Sequence, residues 1–420
     1  MTTILYVVIA IAVLLLMVLI HEFGHYVVGR MLKFKITEFS IGFGKALFSR
    51  KNKRGEVISL RLFPLGGFCA FEGEDEDKPN NPDAFNNQAP WKRILVFLAG
   101  VTFNFATAVI FSIILLCSIG YDIQQVKGLT EVDTTKIEQY VEGSFSDLYE
   151  VVPEAERLHE GDIIVAIDGK KIDFAFGTTY KEQLDKAAEK VEDFISKQTD
   201  GLEGAELQKA SREAFPYSNV YTTATVKRGG EYQEVTFALY RYETYAMKDG
   251  KKVPMIDEDT KQIIKDENGD TVFQIYTHYG WNSKIKIGSY VHTFGEAVER
   301  AVPFSFGLGW VVLESLWQMV TFQLPISEIG GPVTTISFIA SNTRANPLTL
   351  LILIPLISAN LAIFNALPIP ALDGSHVIFT LIEWIRKKPV KRETENLIHT
   401  IGLFILFGAV ILIDILHFLL

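Results

Sequence analysis

Two histidines and a glutamate stand in an apolar stretch near the start of the chain, in the order His21-Glu22-Phe-Gly-His25. Residues four apart lie on one face of an α-helix, so both imidazoles can bind one zinc ion. The glutamate next to the first histidine can then act as general base toward the hydrolytic water. Ionisable side chains are costly at membrane depth, and residues 4–20 carry no charge. The pattern therefore predicts a zinc hydrolase site in a membrane helix.

Four segments are long and apolar enough to span a bilayer, at about 4–28, 94–119, 347–367 and 397–420. The loops after the first and third segments carry 12 and 5 Lys+Arg, whereas the block between the second and third is acidic. Positive short loops mark the cytoplasmic side, so the histidine motif is predicted at the cytoplasmic end of its span. The stretch 302–322 is predicted to be an amphipathic surface helix, with a fifth span as the alternative.

A catalytic zinc site needs a third protein ligand and an open position. The candidates near the later spans are Asp373, His376 and Asp414. The predicted orientation puts Asp373 at the depth of the two histidines and Asp414 near the opposite face, so depth selects Asp373. Asn365 is an amide at membrane depth that could stabilise a developing oxyanion or bind a substrate carbonyl. A helix–helix hydrogen bond is the alternative for this amide.

Two regions outside the spans have strand-like patterns. The loop after the first span alternates polar and apolar residues and contains KNKRGE, typical of a hairpin turn. Because backbone at a membrane has to be paired, we expect a small sheet that dips toward the site, with an ordinary cytoplasmic hairpin as the alternative. The acidic block contains HEGDIIVAIDGKKI, a strand–turn–strand pattern, and a charged helical run at about Thr179–Phe215.

The chain resembles a known family in several segments. The histidine motif together with the late segment NALPIPALDG resembles the site-2 protease family of intramembrane zinc metalloproteases. It is most similar to the bacterial branch that cleaves anti-sigma factors and carries an extracytoplasmic PDZ domain. TEFSIGFGK (Thr37–Lys45) and FPLGGF (Phe63–Phe68) match a loop that in this family forms a membrane-reentrant hairpin. GVTFN (Gly100–Asn104) stands where the family has GPxxN, with Val101 in place of proline.

The resemblance implies one Zn²⁺ per chain and a role for each matching residue. The implied roles are zinc ligation by His21, His25 and Asp373, general base by Glu22, a substrate or transition-state contact by Asn365, substrate-strand binding by the loop at Gly66 and Gly67, and support of the site by Asn104. EGDIIVAIDGKKI is similar to the core of a PDZ domain, and the charged helical run then forms an insertion in it. A PDZ-like plug that binds no peptide is the alternative.

The predicted fold class is an α-helical polytopic membrane protein with about four transmembrane helices, a membrane-associated β-hairpin and an extracytoplasmic α+β PDZ-like domain. Residues 1–120 form the first part of the membrane core and 347–420 the second. Residues 121–290 form the PDZ-like domain, and 291–346 an amphipathic linker helix region. The two cysteines are too few for a disulfide framework, and the net charge of −10 argues against nucleic acid as a partner.

The predicted function is regulated intramembrane proteolysis by a zinc metalloendopeptidase in the bacterial cytoplasmic membrane. The expected partners are membrane lipid and single-span substrates, either anti-sigma factors or signal-peptide remnants. Two other classes are open. A non-catalytic zinc-containing membrane PDZ adaptor would bind partners without cleaving them. A zinc transporter would need further ligands along a path through the spans, where only Asp414 offers itself.

Overall fold

The structure is a computed structural model. It describes the chain except for residues 1, 75–79, 131, 148–151, 173–179, 203, 216–220, 258–259, 267, 282–283, 322, 324–329 and 420. The chain divides into two compact units. The helical unit comprises Met1–Ser118 and His292–Leu420, and the sheet unit comprises Ile119–Val291.

The described elements follow one another through both units. The first part of the helical unit contains α1 (Thr2–Met31), β1 (Ile36–Lys51), β2 (Val57–Phe71) and α2 (Pro90–Ser118). The sheet unit contains β3 (Gln124–Thr130), β4 (Ser146–Asp147), β5 (Ile163–Ile167), β6 (Lys170–Lys171), α3 (Tyr180–Gln198), α4 (Gly204–Ala214), β7 (Tyr221–Arg228), β8 (Glu231–Tyr245), β9 (Met247–Lys248), β10 (Lys251–Lys252), β11 (Ile275–Trp281) and β12 (Lys284–Ser289). The second part of the helical unit contains α5 (Phe294–Val320), α6 (Pro332–Ala345), α7 (Thr349–Ala366), α8 (Asp373–Arg386) and α9 (Arg392–Leu419).

Among the described residues, four helices are long and apolar enough to cross a membrane. They are Thr3–Met31, Pro90–Ser118, Thr349–Ala366 and Glu393–Ile415. These helices coincide with the four predicted segments, and the protein is a membrane protein. Helix α5 is not among the four; it packs on α2 and α7 and joins α2 through a 3.0 Å hydrogen bond between the hydroxyls of Ser112 and Ser305. Its position relative to a membrane surface stays a prediction.

Helix α6 packs between the N-terminal half of α1 and the start of α7. Its Ile339 is fully buried together with Ala10 of α1 and Leu353 of α7. At the N-terminus of α6, the Asp414 carboxylate of α9 accepts hydrogen bonds from the backbone N–H groups of Val333 (3.1 Å) and Thr334 (3.2 Å). A carboxylate is stabilising at a helix N-terminus, so this interaction explains the acidic residue within the last span.

Strands β1 and β2 form an antiparallel hairpin around a turn at residues 52–55, as the KNKRGE pattern predicts. The hairpin curls over itself, because residues 38–41 lie beside 67–70 on one side and beside 57–60 on the other. Gly42 has a φ of +85°, a left-handed conformation that glycine adopts without strain and that lets β1 bend. A Cβ there would lie 2.7 Å from the Phe63 carbonyl oxygen.

The curled hairpin is closed by a polar cluster around Glu38. Ser59 Oγ and Arg61 Nη2 donate to Glu38 Oε1, at 2.5 and 2.7 Å. Burial raises the pKa of the Glu38 carboxyl, but these two hydrogen bonds outweigh it, so this pKa lies below its ordinary value. Several large apolar side chains of the hairpin are exposed, among them Phe43 and Phe63. Apolar exposure of this kind suits a hairpin that contacts lipid or a substrate.

The main sheet of the sheet unit follows the order β11-β8-β7-β5-β3-β12, with β4 beside β8 and β6 beside β5. Strands β9 and β10 pair with each other separately. Ile164, Val226 and Phe237 form part of the fully buried core of the main sheet. The predicted Asp-Gly turn lies between β5 and β6, where Asp168 and Gly169 both have positive φ. The charged run forms α3 and α4, within the range that the periodicity indicates. The likeness of this unit to a PDZ domain stays a prediction.

Candidate metal centre

The histidine motif lies in the last three turns of α1. This helix is continuous from Thr2 to Met31, and its sequence contains no proline that would interrupt it. Because His21 and His25 are four residues apart, their rings project from one face. Both side chains are buried, and their Nε2 atoms are 3.2 Å apart. Asp373 Oδ2, from the first residue of α8, lies 2.9 Å from His21 Nε2 and 3.4 Å from His25 Nε2.

The three donor atoms fit a zinc ion. In a tetrahedral site with bonds of about 2.0–2.1 Å, the donor atoms are about 3.3–3.4 Å apart. The measured triangle has edges of 2.9, 3.2 and 3.4 Å. Two imidazoles and one carboxylate are also a ligand set that zinc uses in hydrolases. His21, His25 and Asp373 could therefore hold one ion and leave a fourth position open.

Two glycines allow α1 and α2 to approach each other at this point. A Cβ on Gly24 would lie 2.6 Å from the Ala99 carbonyl oxygen, and a Cβ on Gly100 would lie 2.6 Å from His25 Nε2. Glycine within a helix costs about 1 kcal/mol relative to alanine, so a close approach is the usual reason for it. Helix α2 continues without a break through Val101, where the family pattern has proline.

Both histidines are oriented by contacts to their second ring nitrogens. His25 Nδ1 donates to the Val96 carbonyl oxygen at 2.8 Å, which leaves Nε2 deprotonated and free for a metal. The Asn104 side-chain amide, fully buried in α2, lies 3.4 Å from His21 Nδ1. A 180° rotation of this amide points its oxygen at the ring and lets it accept the Nδ1–H proton. Asn104 thus lies where the sequence predicts a supporting residue.

The loop between α7 and α8 carries Asp373 into the site. Helix α7 ends at Ala366, and proline at 368 and 370 prevents a helical continuation. Ala371 has a φ of +77°, a conformation that costs free energy for any residue with a Cβ. Gly374, the second residue of α8, has to be a glycine because a Cβ would lie 2.3 Å from the carbonyl oxygens of Ala366 and Leu367.

A cavity of about 340 Å³ opens beside the donor triangle. The sequence-predicted residues that line it are His21, Glu22, Gly66, Gly67, Asn104, Asn365 and Asp373. A Cβ on Gly67 of β2 would lie 3.6 Å from Glu22 Cγ, so the glutamate side chain reaches the hairpin. The helices and the hairpin therefore surround one cavity, and the general-base candidate lies between them.

The two other candidate ligands, Asp414 and His376, lie outside the donor triangle. Asp414 caps α6, and His376 packs between Phe97 and His399 with ring centroids at 5.0 and 4.0 Å. Sequence reasoning missed the contributions of Gly24 and the Val96 carbonyl. An interior glycine two residues after Glu22 was a usable signal for the helix crossing. A backbone carbonyl leaves no signal in a sequence.

The fold and the site together define a class of protein. It is an α-helical membrane protein in which two histidines and one aspartate form a buried donor triangle beside the Glu22 carboxylate. The model of peptidase family M50 matches residues 9–409. This chain therefore belongs to peptidase family M50, the site-2 protease family that its motifs resemble.

Three relatives extend the comparison. The chain is 27% identical over 434 residues to "Putative zinc metalloprotease NMA0084" of Neisseria meningitidis, covering 91% of this chain and 92% of the relative. It is 28% identical to "Putative zinc metalloprotease all3971" of Nostoc sp., covering 95% and 92%. It is 27% identical to "Probable membrane metalloprotease ARASP2, chloroplastic" of Arabidopsis thaliana, covering 96% and 78%. The family and these names support a metalloprotease, with zinc as its metal.

Proposed function

We propose that this protein is an intramembrane zinc metalloprotease of the site-2 type, which hydrolyses peptide bonds in or near the transmembrane segments of single-span proteins. The observation that carries the proposal is the donor triangle of His21, His25 and Asp373, whose edges match one zinc ion. The position of the triangle supports hydrolysis rather than a structural role for the metal. Glu22 lines the same cavity and can act there as general base.

The chain's own residues divide the chemistry between them. A zinc ion in such a site supplies Lewis acidity to water and to a peptide carbonyl. Glu22 takes the proton from the attacking water and returns it to the leaving amine. Asn365 lines the cavity and can donate its amide N–H to the developing oxyanion. The contacts of His25 with Val96 and of His21 with Asn104 would keep both Nε2 atoms available to hold the zinc ion.

The hairpin offers a way to present a helical substrate. A transmembrane helix satisfies its carbonyls internally, so a peptide bond must be unwound before water can reach it. Among the described strands, residues 67–70 of β2 pair on one side only, with β1. An extended substrate could add to the other edge by backbone hydrogen bonds. Gly66 and Gly67 line the cavity next to Glu22, so this edge leads to the site.

The surroundings of the reaction are proposed from the loop charges and the family. The site faces the cytoplasmic side of a bacterial cytoplasmic membrane, and the sheet unit lies outside as a PDZ-like domain that selects or captures substrate. Single-span anti-sigma factors and signal-peptide remnants are the proposed substrates. One Zn²⁺ per chain is the proposed cofactor.

The test uses the full chain in lipid nanodiscs with a single-span model substrate. Product ends are mapped by mass spectrometry, with and without a zinc chelator. We expect a cut in or next to the substrate's span that the chelator abolishes and added zinc restores. Cuts only in extramembrane segments, or cuts insensitive to the chelator, would overturn the proposal. Bound zinc without any cleavage across several single-span substrates would favour the adaptor.

A further inference from the structure

One face of α9, the last span, contacts the loop that carries Asp373. Glu395, His399 and Gly402 follow the i, i+4, i+7 spacing of a single helical face. A Cβ on Gly402 would lie 2.3 Å from Pro370 Cβ, so the two backbones meet closely there. His399, one turn earlier, reaches the next residue of the loop.

The contact of His399 is a hydrogen bond to backbone. The N–H of Ala371 donates to His399 Nδ1 at 2.9 Å. Because Nδ1 is the acceptor, the neutral ring carries its proton on Nε2, which is buried without a hydrogen-bond partner among the described residues. Ser375 Oγ, at the start of α8, also lies 3.5 Å from Nδ1. This nitrogen therefore faces the loop and the first turn of α8, and its shorter contact is the hydrogen bond from Ala371.

The residue held in this way is the strained one. Ala371 has a φ of +77°, and a non-glycine residue keeps such a conformation only when its surroundings fix it. It stands two residues before Asp373. If the backbone at Ala371 relaxed, the Asp373 carboxylate would move from the 2.9 and 3.4 Å positions that it takes beside His21 and His25.

A second metal site is the other interpretation of this cluster, since His376, Glu395 and His399 bring their donor atoms within 4.8 Å of one another. The rings of His376 and His399 are stacked at 4.0 Å with an interplanar angle of 9°. An imidazole binds a metal in its own ring plane, and two parallel stacked rings share no such position. The stack therefore favours packing over metal binding.

We propose that His399 is a positioning residue of the metal centre: its Nδ1 holds the backbone of Ala371 so that Asp373 completes the zinc site. The inference rests on the proposed zinc protease function. It assigns to the last span a part in building a site to which it contributes no ligand.

Two substitutions separate the hydrogen bond from packing. His399→Phe keeps a ring that can stack on His376 but removes the acceptor. His399→Asn loses the ring but places an amide oxygen close to the position of Nδ1. If the hydrogen bond matters, the phenylalanine variant is impaired and the asparagine variant is rescued. If packing alone matters, the order is reversed.

Zinc affinity is measured first, by chelator competition on the full chain with Glu22→Gln as background, so that the readout needs no activity. We expect His399→Phe to weaken zinc binding about 10- to 100-fold, the usual effect of losing an outer contact, and His399→Asn to stay within about threefold. In the active protein, His399→Phe should lower kcat, and His399→Asn should restore it.

The outcomes separate this proposal from the one on which it rests. Zinc binding by His399→Phe equal to that of the parent, or a weaker affinity in His399→Asn than in His399→Phe, would overturn the positioning role while leaving the protease intact. A parent protein that binds no zinc would instead contradict the proposed function. Two zinc ions per chain, falling to one in both variants, would support the second metal site and overturn the inference.

Discussion

The two halves of the metal centre are built in different ways. His21 and His25 lie on an uninterrupted helix, and the helix spacing alone puts both rings on one face. Asp373 instead follows a loop with two prolines and a left-handed alanine, and it reaches the site only because other elements hold that loop. Regular structure positions the first half, whereas tertiary contacts position the second.

This difference has a consequence for robustness. A helix keeps two ligands in register through backbone hydrogen bonds that side-chain changes elsewhere leave intact. The loop depends on particular contacts from α7 and α9, so substitutions far along the chain can displace Asp373. We therefore expect distant changes to affect the metal mainly through the carboxylate.

The largest expected effect comes from removing the loop ligand itself. Asp373→Ala should reduce bound zinc from one per chain to nearly none, because two imidazoles alone make an incomplete site. Asp414→Ala is the matched control, since it removes another carboxylate of the helical unit. The Asp414 side chain belongs to α9 and accepts hydrogen bonds at the N-terminus of α6. Metal content by mass spectrometry distinguishes the two variants. Equal zinc loss in both variants would contradict the assignment of Asp373.

The helical half can be weakened through its outer contact. Asn104→Leu leaves His21 Nδ1 without its partner, and we expect zinc affinity to fall about 10-fold or more. Ser112→Ala, at another buried polar position of α2 that bonds to Ser305, should leave the affinity unchanged. Chelator competition gives both values. A loss in Ser112→Ala of the same size would show that any buried change in α2 disturbs the site.

The hairpin edge should matter for substrate and not for metal. Gly67→Pro removes a backbone N–H beside the cavity and also places a Cβ 2.7 Å from the Ser40 carbonyl oxygen, so the edge itself shifts. We expect cleavage to fall by at least about 5- to 10-fold with zinc retained. Gly55→Asn is the control, because it lies in the hairpin turn, where asparagine tolerates a positive φ. Unchanged cleavage by Gly67→Pro would contradict strand addition at this edge.

The smallest effect is expected for the cap on α6. Asp414→Ala leaves the N–H groups of Val333 and Thr334 without their acceptor, which costs about 1 kcal/mol. Thermal unfolding in detergent should begin a few degrees lower, whereas Asp414→Asn, which keeps an amide oxygen, should shift less. A melting curve for Asp414→Ala identical to that of the wild type would contradict a stabilising role for the Asp414 cap.

The sequence predicts the structure best where a residue pattern is compatible with only one local structure. The four apolar runs predict the four candidate spans, and His21-x-x-x-His25 predicts a shared face. Asp373 could be chosen over Asp414 by depth, but the role of Asp414 on α6 depends on packing that no local pattern reports. The anchoring by His399 and the close approach at Gly100 likewise join elements distant in the chain.

The central claim is that His21, His25 and Asp373 hold a zinc ion on which Glu22 acts as base. The most direct measurement compares cleavage of a single-span substrate by the wild type and by Glu22→Gln, with zinc content determined in both. We predict one zinc per chain in each protein and a fall in cleavage of at least about 10²-fold in the variant. Equal cleavage by the two proteins, or loss of zinc from Glu22→Gln, would contradict the account.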